Sequence, residues 1–501
     1  MKVDKQDKLH ILIIIVGMIF LAIPIFHSNL WFDECYSVAI SNHTFKEIWE
    51  IGAHDVHPVL YYWVLHIINI VFGNNIMLYR IFSYICACTI GILGLTHIRK
   101  DFGKKVGILF SFFSFFLPVI TVYAGEIRMY SFAMLLVTIM SIYAYRILKT
   151  EECKIKNWLI FALCSLGAAY THYYGLMVSG IINILLFAHL VKEWWKTRKI
   201  TSNMKFFTIS AIMQIVLYIP WVLSLLWQIN EVSHNFWIEI KPTILKEFLI
   251  FQFTGNLENN IIINNNLAFV FSISIVAFLL YSFAQNIKNK KENDKEYKKL
   301  IKLSLGIYCS IILAALVISL IIFRPIIYAR YMLCVTGLFI FFLALYLSKN
   351  ANKYIIAIIC FLCIIMGSII EIKLCKDNYD PSNRAPFTYL QENVKQEDIL
   401  LCSTQASGFI ISANYPDNFL YFWDNMSWNV EEAYKAFGKH MKTIYSLDEI
   451  ENVNGRIWII DDGTYALLNE VQKRYNVKVL EKRNYSVKYH LYQYGFTLIE
   501  K

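Results

Sequence analysis

Eleven runs of mostly apolar residues, each close to span length, divide this chain, and no other feature constrains its fold as strongly. A helix of about 20 such residues crosses the roughly 30 Å hydrocarbon core of a bilayer. The runs are 10–27, 77–97, 106–124, 129–147, 157–172, 174–191, 206–227, 266–285, 303–323, 331–348 and 354–371. A further apolar stretch, 58–72, is about 15 residues long, and length alone leaves it open as a twelfth span. Composition agrees. Of the 501 residues, 57% are hydrophobic and only 17% charged, against about 25% charged in soluble domains. A fully soluble enzyme is excluded, as are disordered, collagen-like and disulfide-scaffold chains. The expected class is a polytopic α-helical membrane protein.

Charge predicts the orientation. If 58–72 lies along the outer surface, the inner segments carry 25 Lys and Arg and the outer loops 6. A crossing at 58–72 would turn the basic loop Arg99–Lys105 outward and invert every later loop. The positive-inside rule favours eleven spans, a cytoplasmic N-terminus and an extracytoplasmic C-terminus. The stretch 58–72 then becomes a juxtamembrane helix. The net charge of +10 sits in short clusters between apolar runs, so it reads as topology and not as a nucleic-acid surface. The first run has a basic flank and no small-residue cleavage site, so it is expected to stay as a signal anchor. The eleven cysteines are scattered, mostly within apolar runs, with no zinc-site spacing.

Two long segments are expected outside: the loop 28–76 and the tail beyond Glu371. A smaller Asn-rich loop spans 228–265. The tail changes composition, and strand-like stretches (398–403, 419–423, 456–460) alternate with helix-like ones (430–437, 465–475). That alternation predicts a small α/β domain. The expected division is a membrane module over 1–371, including the first outer loop with its juxtamembrane helices, and an extracytoplasmic α/β domain over 372–501.

Charged residues inside or beside spans are costly, and their clustering marks chemistry. Asp33-Glu34 follows the first run; a helix cap would also explain it. His54-Asp55-Val56-His57-Pro58 precedes the 58–72 helix, where a polar interfacial loop is the plainer reading. Arg80 stands near the start of the second run and could equally snorkel to the interface. Gly125-Glu126-Ile127-Arg128-Met129-Tyr130 joins two runs, and a surface ion pair would account for it. Arg324, Arg330 and Tyr331, with His172, Tyr173 and Tyr174, lie at the same expected face. Together, arginines at a membrane boundary suit a lipid phosphate, because the guanidinium fork matches phosphate oxygens. An acid beside them suits removal of a proton from a hydroxyl nucleophile.

The ordered set Asp33-Glu34, Asp55-x-His57-Pro58 with Leu60, Arg80, Glu126-x-Arg128-x-Tyr130 and Arg330-Tyr331 resembles a known family over about residues 10–350. It is similar to the polytopic GT-C-fold glycosyltransferases of the protein O-mannosyltransferase and aminoarabinose transferase kind (glycosyltransferase family 39-like). The family usually has two prolines after the histidine; here Val59 takes the second place. The resemblance implies an integral membrane enzyme of the cell envelope. It would move a hexose or pentose from a polyprenyl-phosphate donor to an extracytoplasmic acceptor hydroxyl on a protein, lipid or glycan. It implies Asp33 as general base, supported by Glu34, with inversion at the anomeric carbon. Arg80, Arg128 and Arg330 would hold the donor phosphate. Asp55, His57, Glu126, Tyr130 and Tyr331 would shape the pocket. The resemblance leaves metal dependence open, since the family includes both cases; where a divalent cation, Mg or Mn, takes part, Asp33, Asp55 and His57 are the candidate ligands. Three other readings stay open: a transporter or lipid-linked-saccharide flippase, a diphosphate-lipid-using glycan ligase or polymerase, and a ligand-binding sensor.

Overall fold

The structure, a computed structural model, describes residues 4–150, 153–231, 241–257, 260–288, 295–323, 325–403, 405–423, 431–438 and 440–501. Among them, nine helices are long and apolar enough to cross a membrane. They are Lys5–Ile25, Ile76–Phe102, Tyr130–Lys149, Tyr173–Thr197, Ser202–Asn230, Asn265–Ile287, Lys295–Ile321, Ala329–Asn350 and Lys353–Asn378. This is the architecture of a multi-pass membrane protein. The other two expected spans are helical but individually shorter. The run 106–124 is broken: Lys104–Phe116 stops at Leu117, and Pro118 opens Pro118–Tyr123. Proline has no N–H and a fixed φ, so it suits a first helical turn and interrupts a helix that would run through it. The run 157–172 is the 17-residue helix Ile155–Thr171. The stretch 58–72 is the helix Leu60–Phe72, whose 13 residues reach only about 20 Å.

The described residues divide into two compact units. One comprises Met1–Ile25, Arg80–Ile229 and Phe236–Lys373. The other comprises Phe26–Tyr79, Asn230–Asn235 and Leu374–Lys501. The first outer loop, grouped by sequence with the membrane module, therefore clusters with the tail. Its side chains explain why: Phe32 stacks on Phe437 at 5.7 Å, and Trp31 stacks on His490 at 4.8 Å with the planes 6° apart.

Within the first unit, Ala329–Asn350 is the central helix, 89% buried over its most apolar window. Ser202–Asn230 is 17% buried by the same measure and exposes Ile212, Ile215, Val216, Ile219 and Leu223, as a lipid-facing helix does. Lipid is as apolar as leucine, so close helix packing depends on small residues. The hairpin from Ile76–Phe102 into Lys104–Phe116 shows this. A Cβ on Gly94 would stand 2.1 Å from the Ser111 Oγ, and one on Gly107 2.6 Å from the Gly94 carbonyl.

The second unit contains a six-stranded sheet: β1 (Ile399–Cys402), β2 (Leu420–Trp423), β3 (Met441–Ile444), β4 (Arg456–Asp461), β5 (Lys478–Ser486) and β6 (Gln493–Glu500). Its order is β3-β2-β1-β4-β6-β5. The pairings among β3, β2, β1 and β4 are parallel; β6 runs antiparallel to both β4 and β5. Leu401, Ile457, Ile459, Leu467, Val471 and Ile499 form its core. Glu431–Tyr434 and Ala466–Arg474 are the helix-like stretches anticipated from sequence; Val430 lies outside the described residues. Three strands were not anticipated. In β5 the charges of Lys478, Glu481, Lys482 and Arg483 hide the pattern, as suits an edge strand. Asp398, fully buried, ties the sheet's base. It accepts from the Arg456 Nε at 2.8 Å and the Trp458 Nε1 at 2.8 Å.

Candidate functional site

The predicted site residues fall into two groups, one in each unit. The first unit holds Arg80, Glu126, Arg128, Tyr130, Arg330 and Tyr331. The second holds Asp33, Glu34, Asp55 and His57.

In the first unit, the arginines are built around the turn between Pro118–Tyr123 and Tyr130–Lys149. The Ser131 hydroxyl donates to the Tyr123 carbonyl at 3.2 Å and closes the turn. Gly125 is demanded by packing, since a Cβ there would lie 2.2 Å from the Ile25 Cγ2. Arg80, at the start of its helix, donates from Nη1 to the Gly125 carbonyl at 3.2 Å. Arg128 is part of the turn. Arg330 comes from the short 3-10 segment Ala329–Val335 that opens the central helix. Its guanidinium lies 5.6 Å from the Tyr130 ring centroid and 5.5 Å from that of Tyr328. Thus three arginines, distant in sequence, meet one turn. Their exposures are 2%, 4% and 8%.

An aromatic frame surrounds this turn. His172 packs against Tyr130 (5.8 Å) and Tyr331 (4.9 Å), and Tyr331 against Tyr174 and Tyr328 (5.3 Å each). His172 accepts the Tyr174 amide on Nδ1 at 3.0 Å and so caps the helix Tyr173–Thr197. The Tyr174 hydroxyl donates to the Ile326 carbonyl at 3.0 Å, fixing the segment that leads into Arg330. Tyr123 and Tyr328 belong to this frame and were not singled out from sequence. In a chain that is 16% aromatic, a tyrosine carries no distinguishing signal. Arg324 lies outside the described residues.

The guanidinium groups of Arg80, Arg128 and Arg330 thus gather at the turn that also carries the Glu126 carboxylate. A phosphate monoester offers oxygens that guanidinium forks match in geometry and charge. A separate apolar cavity, of about 100 Å³, is lined by Phe102, Thr138, Tyr145, Ile307 and Phe341. Tyr145 is 15 residues from Tyr130 along one helix, about 22 Å away, so that cavity is remote from the arginines.

In the second unit, Asp33 and Glu34 occupy the first turn of the helix Phe32–Ile40. Negative charge is favourable there, but neither acid is the cap: the N-cap is Trp31, whose side chain makes no capping bond. Glu34 is fully buried and accepts the Tyr489 hydroxyl at 2.7 Å. The Tyr492 hydroxyl accepts the Phe32 amide at 3.1 Å. Burial, with the charges of Asp33 and Glu34 nearby, raises the Tyr492 phenol well above its ordinary value, so it stays protonated. His57 is buried, and its Nδ1 lies 3.7 Å from the Asp55 Oδ2, an ion-pair distance and not a hydrogen bond. Among the described residues, no group of three or more His, Cys, Asp or Glu side chains could hold a metal ion. Asp33, Asp55 and His57 are not gathered into such a group among the described residues.

Comparison with known proteins agrees with this architecture. A family model described as dolichyl-phosphate-mannose-protein mannosyltransferase matches residues 56–233. That stretch includes His57, Arg80, the 125–130 turn and His172, but not Asp33-Glu34 or Arg330. No curated protein matches in sequence. The crystal structure of ArnT from Cupriavidus metallidurans in the apo state aligns over 97% of both chains, at 10% identity and a TM-score of 0.53. The same protein bound to undecaprenyl phosphate aligns over the same shares at 10% identity and a TM-score of 0.49. The likeness to the apo structure shows that the chain shares its fold.

Proposed function

We propose that this chain is an integral membrane glycosyltransferase that moves a sugar from a polyprenyl-phosphate donor to an extracytoplasmic acceptor hydroxyl. The observation that carries the reading is the meeting of Arg80, Arg128 and Arg330 at the 125–130 turn, in a chain of GT-C fold. The description of the matching family, a transferase that takes mannose from a dolichyl phosphate, supports a lipid-monophosphate donor.

The chemistry follows from the residues. When the acceptor oxygen attacks the anomeric carbon, the bond from that carbon to the phosphate oxygen breaks. Negative charge then grows on the leaving phosphate. Preplaced guanidinium groups stabilise that charge without reorganising, and one such donor is typically worth about 2.7–4 kcal/mol. Asp33 takes the proton that the acceptor hydroxyl loses, a contribution of roughly 10²–10⁴ in rate. Glu34 holds the acid pair in place. A single displacement inverts the anomeric centre. The N-terminus is cytoplasmic and the tail extracytoplasmic in this reading, as the loop charges indicate.

The test is donor consumption. Purified protein in liposomes receives a panel of labelled polyprenyl-phosphate sugars and a crude envelope extract as acceptor, beside Asp33→Asn. The proposal expects one donor to be consumed by the native protein and spared by the variant. Movement of lipid or solute across the bilayer without any sugar transfer would replace it with the transporter reading.

A further inference from the structure

The acid pair is held by a residue that no motif reveals. We infer that Tyr489, from the far end of the chain, is a positioning residue for the pair, acting through Glu34. This rests on the reading of Asp33-Glu34 given above.

The first observation is the bond itself. Glu34 is fully buried, and a buried carboxylate needs donors to offset its desolvation. The Tyr489 hydroxyl supplies one at 2.7 Å, across 455 residues of sequence. A charge-assisted O–H···O⁻ bond of this kind is among the stronger hydrogen bonds. The second observation is that the rest of the helix start is also held by the tail. A helix begins with amides that have no partner within the helix. Trp31 offers no side-chain cap, and the Phe32 amide finds the Tyr492 hydroxyl instead. Trp31 lies flat on His490.

The third observation is that the holding loop is itself tightly specified. Asn383, buried, accepts both the Lys488 and the Tyr489 amides on Oδ1, each at 2.9 Å. Its amide nitrogen donates to the Asp377 carbonyl at 2.7 Å. The Val487 amide donates to the Tyr492 carbonyl at 3.0 Å, closing the loop. Between these bonds, His490 and Leu491 adopt positive φ of 52° and 55°. Such backbone is unfavourable for residues with a Cβ and persists only where the surroundings impose it. Burial of Leu491 is not the reason, since that side chain is 71% exposed. The loop keeps this shape while presenting Tyr489 to Glu34 and His490 to Trp31. The tail domain is therefore part of what sets the acid pair, and not merely an appendage that follows the spans.

The experiment uses the full chain and removes one oxygen: Tyr489→Phe. The ring remains for packing, so the fold is expected to persist, as checked by size exclusion in detergent. The inference predicts a fall in kcat of about 10- to 100-fold, the scale of a lost hydrogen bond to a charged group. The KM for donor should change by no more than about twofold, because the lost contact does not bind donor. Placed on Glu34→Gln, Tyr489→Phe should cost nothing further, since both act through one carboxylate. Tyr475→Phe, which removes a hydroxyl bonded to the Leu447 carbonyl in the same domain, should leave kcat unchanged. Unchanged kcat in Tyr489→Phe, or a loss that multiplies that of Glu34→Gln, overturns the inference. If the native protein transfers no sugar at all, the functional reading fails, and hydrogen exchange then decides this point alone. Faster exchange of the Phe32–Cys35 amides in Tyr489→Phe supports the inference, and unaltered exchange overturns it.

Discussion

Replacing Arg330 tests the phosphate-binding role most sharply, because its surroundings separate charge from shape. The guanidinium lies over Tyr130 and Tyr328 at 5.6 and 5.5 Å, and the residue is 8% exposed. Arg330→Met keeps most of the side-chain volume between the rings but removes the charge and every N–H. If Arg330 faces the leaving phosphate, the loss is that of one oxyanion-type donor, about 2.7–4 kcal/mol, or about 10²–10³ in rate. The cation–π contacts add about 0.5–2 kcal/mol, a loss that falls on folding and not on turnover. Arg330→Lys restores the charge without the planar fork. It should recover part of the loss, to within about 10- to 100-fold of native, if one of two charge-assisted bonds is regained. The assay is initial rate against donor concentration in liposomes, with thermal unfolding measured in parallel. Equal rates for native and Met proteins would refute the reasoning. So would a Lys variant as slow as the Met variant but equally stable, because charge would then play no part.

Other outcomes follow from the same geometry. Asp33→Asn should lose about 10²–10⁴ in turnover while binding polyprenyl phosphate as the native protein does, as read by ligand-induced thermal shift. Gly125→Ala places a Cβ 2.2 Å from the Ile25 Cγ2; overpacking of this kind costs about 1–3 kcal/mol, so the melting temperature and donor affinity should fall together. Asp398→Ala removes the acceptor of the Arg456 and Trp458 bonds and leaves the buried Trp458 Nε1 without that partner, a loss of about 1–3 kcal/mol, measurable by denaturant unfolding. Burial raises the Asp398 carboxyl, but the bonds from Arg456, the Lys395 amide and Trp458 outweigh it, so its pKa lies below the ordinary 3.8. The stability this carboxylate contributes is thus present above about pH 4 and is lost as pH falls through its depressed value. Asp398→Ala should flatten that acid limb.

What the sequence displays and what it hides divide along physical lines. Span-length apolar runs announce themselves, because nothing else explains their length. Pro118 shows why length alone miscounts, since it splits one run into two short helices. Arg80, Arg128 and Arg330 were visible because charge is conspicuous in so apolar a chain. Their meeting at Gly125–Tyr130 was not, as it depends on packing between separate helices. Tyr123 and Tyr328 were invisible among many tyrosines. The bond from Tyr489 to Glu34 was beyond any local pattern, since 455 residues separate its ends. Asp33, Asp55 and His57 look like a ligand set in sequence, yet the described residues form no metal-binding group. Strand β6 does carry an alternating apolar signal, Tyr494, Phe496 and Leu498 separated by Gly495 and Thr497, that went unrecognised; its pairing with β4 and β5 sets it in the sheet.

The central claim is that the buried arginines hold a lipid monophosphate, and binding tests it without any acceptor. The purified protein should be titrated with polyprenyl phosphate and with the matching uncharged polyprenol, reading thermal stabilisation. The account predicts that the phosphate stabilises the native protein, by about 2.7 kcal/mol at a hundredfold excess over its Kd. It further predicts that the polyprenol stabilises far less and that Arg80→Met, Arg128→Met and Arg330→Met each weaken the phosphate effect. Equal stabilisation by polyprenol and polyprenyl phosphate, unaltered in all three variants, would contradict it.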